Sequence, residues 1–126
     1  MTGQTYGSVR RLLQIEGGVV AAAAIWAYAQ SGVSWWLFAA LILAPDLSMV
    51  GYLRNPAFGA RVYNLAHTYA LPVALAFLGV VVTPAALPVA LIWIAHIGID
   101  RALGYGLKYP DGFKQTHLGG DTAPSN

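Results

Sequence analysis

Four long apolar segments constrain the fold of this chain more than any other feature. They span about Leu12–Gln30, Val33–Leu53, Val62–Thr83 and Ala85–Leu103. Each is close to the ~20 residues that an α-helix needs to cross the hydrocarbon core of a bilayer. Only 10% of the residues are charged, whereas a soluble domain averages about 25%. The sequence therefore predicts an all-α integral membrane protein, an antiparallel four-helix bundle in which residues 1–126 form a single membrane domain.

The basic residues fall on one side of this predicted bundle. When the chain is traced through four spans, both termini and the 54–61 loop lie on one side, and the turns near residues 31–32 and 83–84 lie on the other. All the basic residues belong to the first side or its edge: Arg10, Arg11, Arg54, Arg61, Arg101, Lys108 and Lys114. Basic residues accumulate on the cytoplasmic side of membrane proteins. Both termini are therefore predicted to be cytoplasmic, with residues 104–126 forming an interfacial tail.

The first apolar segment has an alternative interpretation. Arg10-Arg11, the apolar run after them and Ala27-Tyr28-Ala29 have the features of a cleavable secretory signal. Glu16 interrupts that run, so we expect the segment to be retained as a membrane helix. Gly17-Gly18 follows directly, and small residues let membrane helices approach closely. We interpret this pair as a helix-packing site.

Composition excludes several classes of function. The chain contains no cysteine, which rules out disulfides, thiolate metal sites and thiol catalysis. No helix has a basic face, so nucleic acid is not an expected partner. The sequence also lacks a phosphate-binding loop, a nucleophile elbow, a haem attachment motif and a dinucleotide fingerprint.

Five ionisable side chains inside the apolar segments give the strongest functional signal. They occupy overlapping depths, in the half of each helix nearest the predicted cytoplasmic side, and are Glu16, Asp46, His67, His96 and Asp100. A charge at the bilayer centre costs ~2.5–3.5 kcal/mol on insertion scales, and such residues usually mark functional sites. His96 and Asp100 are four residues apart and share one helix face. Pro45 and Pro72 each remove a helical amide donor near this layer.

These groups match in kind the ligands of metal sites in helical bundles, where carboxylates and imidazoles converge from several helices. A single zinc ion with nitrogen and oxygen ligands and an open position fits equally well. We therefore predict a divalent metal (zinc, iron or manganese) as the candidate cofactor. The candidate ligands are His67, His96, Asp100, Asp46 and Glu16. Glu16 and Asp46 are also the candidate catalytic carboxylates, and Asn64, Tyr63 and Arg101 are candidates for contacting the ligands.

Two other interpretations stay open. The polar layer can be a structural network, because interhelical hydrogen bonds in membranes contribute ~0.6–2 kcal/mol each. It can also carry protons or cations, although the half of the bundle near Trp35-Trp36 has no charged residue to continue such a path. Ser48 as a nucleophile and His117 as a further ligand have less support. Tyr52, Tyr63 and Tyr69 are expected to be packing or interface residues.

Several strings of residues resemble a known family. They are Leu12-Leu13-Gln14-Ile15-Glu16-Gly17, Ala44-Pro45-Asp46-Leu47-Ser48-Met49, Tyr63-Asn64-Leu65-Ala66-His67-Thr68-Tyr69, and Trp93 through Arg101 with Thr116-His117-Leu118-Gly119. Together these resemble the domain-of-unknown-function 4260 family of small bacterial membrane proteins, over about residues 12–119. The resemblance implies four membrane helices and a bacterial cytoplasmic (inner) membrane, and it implies no activity.

The sequence thus predicts a multi-pass membrane protein with a Glu/Asp/His site near the cytoplasmic side. Our first hypothesis is a metal-dependent enzyme acting on a lipid-like substrate. The alternatives are a proton- or cation-binding transport module and a non-catalytic structural partner in the membrane. Membrane lipids are the expected partners, with Lys108 and Lys114 contacting anionic headgroups. A homodimer is left open.

Overall fold

The computed structural model describes residues 7–107, and all the regular elements in that range are helical. They are α1 (Gly7–Ser31), α2 (Trp35–Leu41), a 3₁₀ helix (Ala44–Leu53), α3 (Pro56–His67), α4 (Ala70–Val81) and α5 (Ala86–Leu103). The predicted tail beyond residue 107, with Lys108, Lys114 and His117, lies outside the described residues.

These elements form four segments that are long and apolar enough to cross a membrane. They are Gly7–Ser31, Trp35–Leu53, Pro56–Val81 and Ala86–Leu103. Large apolar side chains cover their outer surfaces, as at Trp36, which is 85% exposed. In a chain of this hydropathy such surfaces face lipid. The prediction of an all-α membrane bundle with four spans is confirmed.

The third span begins earlier than predicted. Residues 56–61, expected in a loop, are the first turns of α3. The cause is local, because the Asn55 side chain accepts a hydrogen bond from the Phe58 amide at 2.7 Å and Pro56 occupies the first helical position. Asn is among the best helix N-caps, and proline is favoured at the position after it.

Each of the two middle spans is interrupted near one of the prolines. In the second span α2 ends at Leu41, and beyond it the Asp46 amide donates to the carbonyl of Leu43, three residues back, at 3.0 Å. In the third span Thr68 has an extended conformation (φ −98°, ψ 146°) between α3 and α4. Proline at 45 and 72 disfavours a continuous α-helix through these positions. The interruptions leave backbone carbonyls of the second and third spans available to side chains.

Helix α5 is the centre of the bundle. It packs against α1 along one side and α4 along another, and also touches α2, while the 3₁₀ helix packs against α3. Its buried residues run almost without a break through its second half: Ala90, Ile92, Ala95, His96, Ile97, Gly98 and Arg101. The polar residues of α5 are therefore held by three neighbouring elements.

Glycine sets the approach of α1 to α5. A Cβ atom added to Gly98 would lie 2.6 Å from the Gly17 carbonyl oxygen and 2.8 Å from the Ala21 amide nitrogen. A Cβ on Gly17 would collide with the Cβ of Arg101. The two backbones touch at this crossing, as expected for small residues at a membrane helix interface. Gly18 is looser, since a Cβ there would meet only the Ala102 Cβ, at 3.7 Å.

We therefore expect Gly98→Ala to destabilise the protein by about 1–3 kcal/mol, because backbone atoms of α1 block the added methyl group. Gly18→Ala is the matched control and should change stability by less than about 0.5 kcal/mol. Thermal unfolding of the detergent-solubilised variants measures both effects. Equal loss in the two variants would contradict the close crossing.

Candidate metal centre

Four of the five predicted side chains converge in the structure, and they come from three helical elements. Asp46 lies in the first turn of the 3₁₀ helix, His67 is the last residue of α3, and His96 and Asp100 lie on one face of α5. Each offers one ligand atom, and these four atoms lie within 4.8 Å of one another. The imidazoles are almost fully buried, at 0% and 4% exposure. The Asp46 side chain is the most open of the four, at 39%, against 14% for Asp100.

The Nε2 atoms of the two imidazoles form the middle of the group, 3.1 Å apart. The Oδ1 atom of Asp46 lies 3.1 Å from the Nε2 of His67 and 3.2 Å from that of His96. The Oδ2 atom of Asp100 lies 3.4 Å and 3.2 Å from the same two nitrogens. These five separations, each involving an imidazole nitrogen, lie between 3.1 and 3.4 Å, and the four ligand atoms all lie within 4.8 Å of one another.

The other nitrogen of each ring fixes its tautomer. Nδ1 of His67 donates to the Tyr63 carbonyl at 2.9 Å, and Nδ1 of His96 donates to the Ile42 carbonyl at 2.5 Å. A carbonyl oxygen only accepts, so both Nδ1 atoms carry the proton. In the neutral rings both Nε2 atoms therefore present lone pairs toward each other and toward the two carboxylates. Backbone carbonyls orient metal-binding imidazoles in the same way.

Such an arrangement can hold a proton or a metal ion at its centre. Two neutral imidazoles and two ionised carboxylates direct only lone pairs inward, and either kind of cation would offset the charge of the carboxylates. A hydrogen bond between the two Nε2 atoms would require one ring to be positively charged. For metal–ligand bonds of about 2.0–2.1 Å, tetrahedral coordination separates ligand atoms by roughly 3.3–3.4 Å. The five separations that involve an imidazole nitrogen are close to that spacing, and the donor set of two nitrogens and two carboxylates is of the kind that holds a divalent ion such as zinc, iron or manganese.

The residues predicted to surround the ligands have different positions. The ring of Tyr63 stacks on the imidazole of His67, with centroids 3.7 Å apart and planes at 6°. Nη2 of Arg101 donates to the His67 carbonyl at 2.7 Å, which the break after α3 leaves available. Both residues therefore hold His67 in position. Asn64 is half-buried on α3, three residues before His67.

Glu16 is not part of this group, which corrects its prediction as a fifth ligand. The neighbouring Gly17 is the buried residue that packs on α5, and successive helical residues point about 100° apart. Glu16 is therefore turned to an exposed position, where it lines a separate pocket together with Tyr69 and Arg101. Glu16 lies at a depth in the bundle similar to that of the four ligands, but its side chain points in a different direction about its helix axis.

An apolar cavity of about 290 Å³ lies in the same bundle, although none of the four ligands belongs to its lining, and it was not predicted from the sequence. Its lining includes Pro45 and Ala66, which directly precede Asp46 and His67 in the chain. The other lining residues are Leu41, Ala44, Ser48, Val89, Ile92 and Trp93. The polar atoms of this wall are already bonded: the Ser48 hydroxyl donates to the Pro45 carbonyl at 2.7 Å and the Trp93 indole donates to the Ala66 carbonyl at 2.6 Å. The cavity thus presents a mainly apolar surface, as ligand pockets do.

A known protein family matches most of the chain. Residues 10–120 match the family described as a domain of unknown function (DUF4260). The chain belongs to this family. No curated protein matches the chain, and no solved structure does. Membership is thus consistent with the quoted strings, three of which contain the four converging residues, and it assigns no chemistry to them.

We expect purified protein to retain one tightly bound divalent metal ion per chain, and His96→Ala to lose it, because no other side chain on α5 replaces the missing Nε2. Glu16→Ala is the matched control and should keep the metal. Elemental analysis of protein purified without added metal measures this directly. Metal at background in the wild-type protein would contradict the site.

The metal should also raise the unfolding temperature, because only the folded chain brings the four ligands together. The stabilisation is about 2.7 kcal/mol when the free metal is at 100 times its Kd. Thermal unfolding with and without a chelator checks this effect. The His96→Ala variant serves as the control, since its unfolding temperature should not respond to the chelator.

Proposed function

We propose that the chain is a metal-dependent enzyme of the bacterial cytoplasmic membrane that acts on a lipid-like substrate. One observation carries the proposal: two imidazoles and two carboxylates converge in the bundle, and Pro45 and Ala66, the sequence neighbours of Asp46 and His67, line an apolar cavity. The polar group offers a place for a metal ion, and the cavity offers a place for a hydrocarbon chain. A purely structural network has no need of such a cavity.

Hydrolysis is the reaction that these residues support best, because its only co-reactant is water. A bound metal ion lowers the pKa of a coordinated water and polarises a carbonyl or phosphoryl oxygen. His67 and His96 would hold the ion through Nε2, with Asp100 as the less exposed oxygen ligand. Asp46 is the more exposed carboxylate, so it is the residue that would accept the proton of the attacking water. As the ester bond breaks, Asp46 would pass that proton to the leaving oxygen, so that water is the only reagent consumed.

The alternative of proton or cation transport has less support. The spans carry their charged and imidazole side chains near one end only. Between Glu16 and Asp46, and again between His67 and His96, the sequence has no Asp, Glu, Lys, Arg or His. A transport path through one chain needs polar groups across the whole membrane. An enzyme whose site opens near one leaflet does not.

We expect wild-type protein loaded with zinc, iron or manganese to hydrolyse components of a bacterial membrane lipid extract in proteoliposomes, releasing products that mass spectrometry detects. His96→Ala should abolish this release. Ser48→Ala should retain it, because the Ser48 hydroxyl lies beside the cavity without being a metal ligand. If the lipid profile obtained with the wild-type protein and each of the three metals is the same as that obtained with the His96→Ala variant, the proposed enzymatic activity is contradicted. Loss of activity in Ser48→Ala would favour a serine nucleophile instead.

Orientation belongs to the same proposal, with both termini on the cytoplasmic side by the positive-inside rule. Thr83 and Ala57 are exposed residues at opposite ends of the spans, and the chain has no cysteine of its own. In intact cells an impermeant maleimide should label Thr83→Cys, and it should label Ala57→Cys only after permeabilisation. The reverse pattern would invert the topology and move the metal centre to the outer leaflet.

A further inference from the structure

A second pocket of about 200 Å³ lies on the other side of α5 from the apolar cavity. It is formed where α1, the start of α4 and the end of α5 meet, and is lined by Leu13, Glu16, Gly17, Val20, Tyr69 and Arg101. None of the four candidate metal ligands belongs to its lining. The pocket combines a cation, a phenol and a carboxylate, so it is chemically distinct from the metal centre.

Arg101 carries a buried positive charge without an ionic partner among residues 7–107. The residue is only 7% exposed. Its guanidinium donates to two neutral backbone carbonyls, of His67 at 2.7 Å and of Tyr105 at 3.2 Å. Within the described part of the chain, no carboxylate oxygen lies within 4.0 Å of it. A guanidinium has five N–H donors, and buried charges are ordinarily paired, so this side chain can still bind an anion.

Tyr69 adds a second donor to the same pocket. Its hydroxyl is buried and has no hydrogen-bond partner in the range that the structure describes. The Arg101 guanidinium lies 5.9 Å from the centre of its ring. Buried hydroxyls are normally bonded, and a phosphate accepts hydrogen bonds from phenols and guanidinium groups together. Among the described residues, the Tyr69 hydroxyl thus lacks an acceptor, and the Arg101 guanidinium that lines the same pocket has no anionic partner.

Glu16 gives the pocket its negative end. Its carboxylate is exposed on α1, and within the described chain it has no basic partner within 4.0 Å. A site for a simple anion would gain nothing from a carboxylate beside it. A ligand that carries both a phosphate and an ammonium group would use all three side chains.

We propose that this pocket binds the headgroup of a zwitterionic phospholipid. The phosphodiester contacts Arg101 and Tyr69, and the primary ammonium contacts Glu16. Both Glu16 and Arg101 lie in the halves of α1 and α5 nearest the basic end of the bundle, the end at which headgroups meet the protein. Leu13 and Val20 continue the lining with apolar surface for the start of the acyl chains. This site stands independently of the proposed enzymatic function.

The test is lipid binding to the full-length protein, measured by native mass spectrometry during titration from detergent. The probes are phosphatidylethanolamine, phosphatidylglycerol and free phosphoethanolamine, and wild-type protein should bind the first most tightly. Tyr69→Phe should lower the affinity for both phospholipids roughly tenfold, because it removes a hydrogen bond to the charged phosphodiester. Glu16→Gln should lower the affinity for phosphatidylethanolamine alone, roughly threefold, as expected for a partly exposed ion pair.

Tyr105→Phe is the matched control. It removes a nearby phenol that does not line the pocket, so it should leave binding unchanged. Arg101 itself is left intact, since its replacement would also release the His67 carbonyl. Equal lipid affinity in the wild-type protein and Tyr69→Phe would overturn the site.

Two further outcomes separate the possible ligands. Glu16→Gln lowering the affinity for both phospholipids equally, or for neither, would overturn the zwitterionic assignment. If free phosphoethanolamine binds as tightly as phosphatidylethanolamine, the proposal that the ligand is a membrane lipid is overturned. Metal content, measured on the same samples, distinguishes this site from the metal centre. If the metal content is at background while lipid binding still depends on Tyr69, the headgroup site is supported and the proposed metal-dependent activity is contradicted.

Discussion

The arrangement of the polar interior depends on hydrogen bonds between side chains and the backbone carbonyls that interrupted helices provide. Ile42, beyond the end of α2, accepts from Nδ1 of His96, and His67, at the end of α3, accepts from Arg101. In continuous α-helices these carbonyls would pair with amides four residues later. Pro45 and Pro72 disfavour continuous helices here, and the interruptions are tolerated in a membrane because side-chain donors satisfy the carbonyls that are left unpaired. The breaks therefore supply the acceptors that orient one imidazole and one guanidinium.

Helix α5 supplies both of these oriented side chains, and it packs closely on α1. Gly98 lets α5 touch the backbone of α1 two residues before Asp100. Asp100 and Arg101 then point to different sides: Asp100 toward the imidazoles and Arg101 toward the pocket beside Glu16. One short stretch of α5 backbone therefore positions a side chain of the candidate metal centre and a side chain of the second pocket.

The number of spans, their approximate bounds and four members of the polar group followed from the sequence, because hydrophobic length and depth along a helix are local properties. Rotation about the helix axis is not local. Glu16 has the right depth, yet the tight contact at Gly17 turns it away from Asp46 and toward Arg101. The apolar cavity could not be predicted from the sequence either. Ala66 and Val89 have no feature that distinguishes them from ordinary packing residues until α3 and α5 are brought together. Tyr69 was expected only to pack, and nothing local signals that its hydroxyl is unpaired.

The two sites share a physical connection through the His67 backbone. The imidazole of His67 faces the metal centre, while its carbonyl is held by the guanidinium that lines the headgroup pocket. A phosphate bound to Arg101 would act on the position of that guanidinium. Through the hydrogen bond to the His67 carbonyl it would also act on the position of His67. A 1 Å displacement of a ligand is enough to change a reaction rate about a hundredfold. If both proposals hold, the hydrogen bond from Arg101 to the His67 carbonyl would link a bound lipid headgroup to the alignment of the candidate metal ligands.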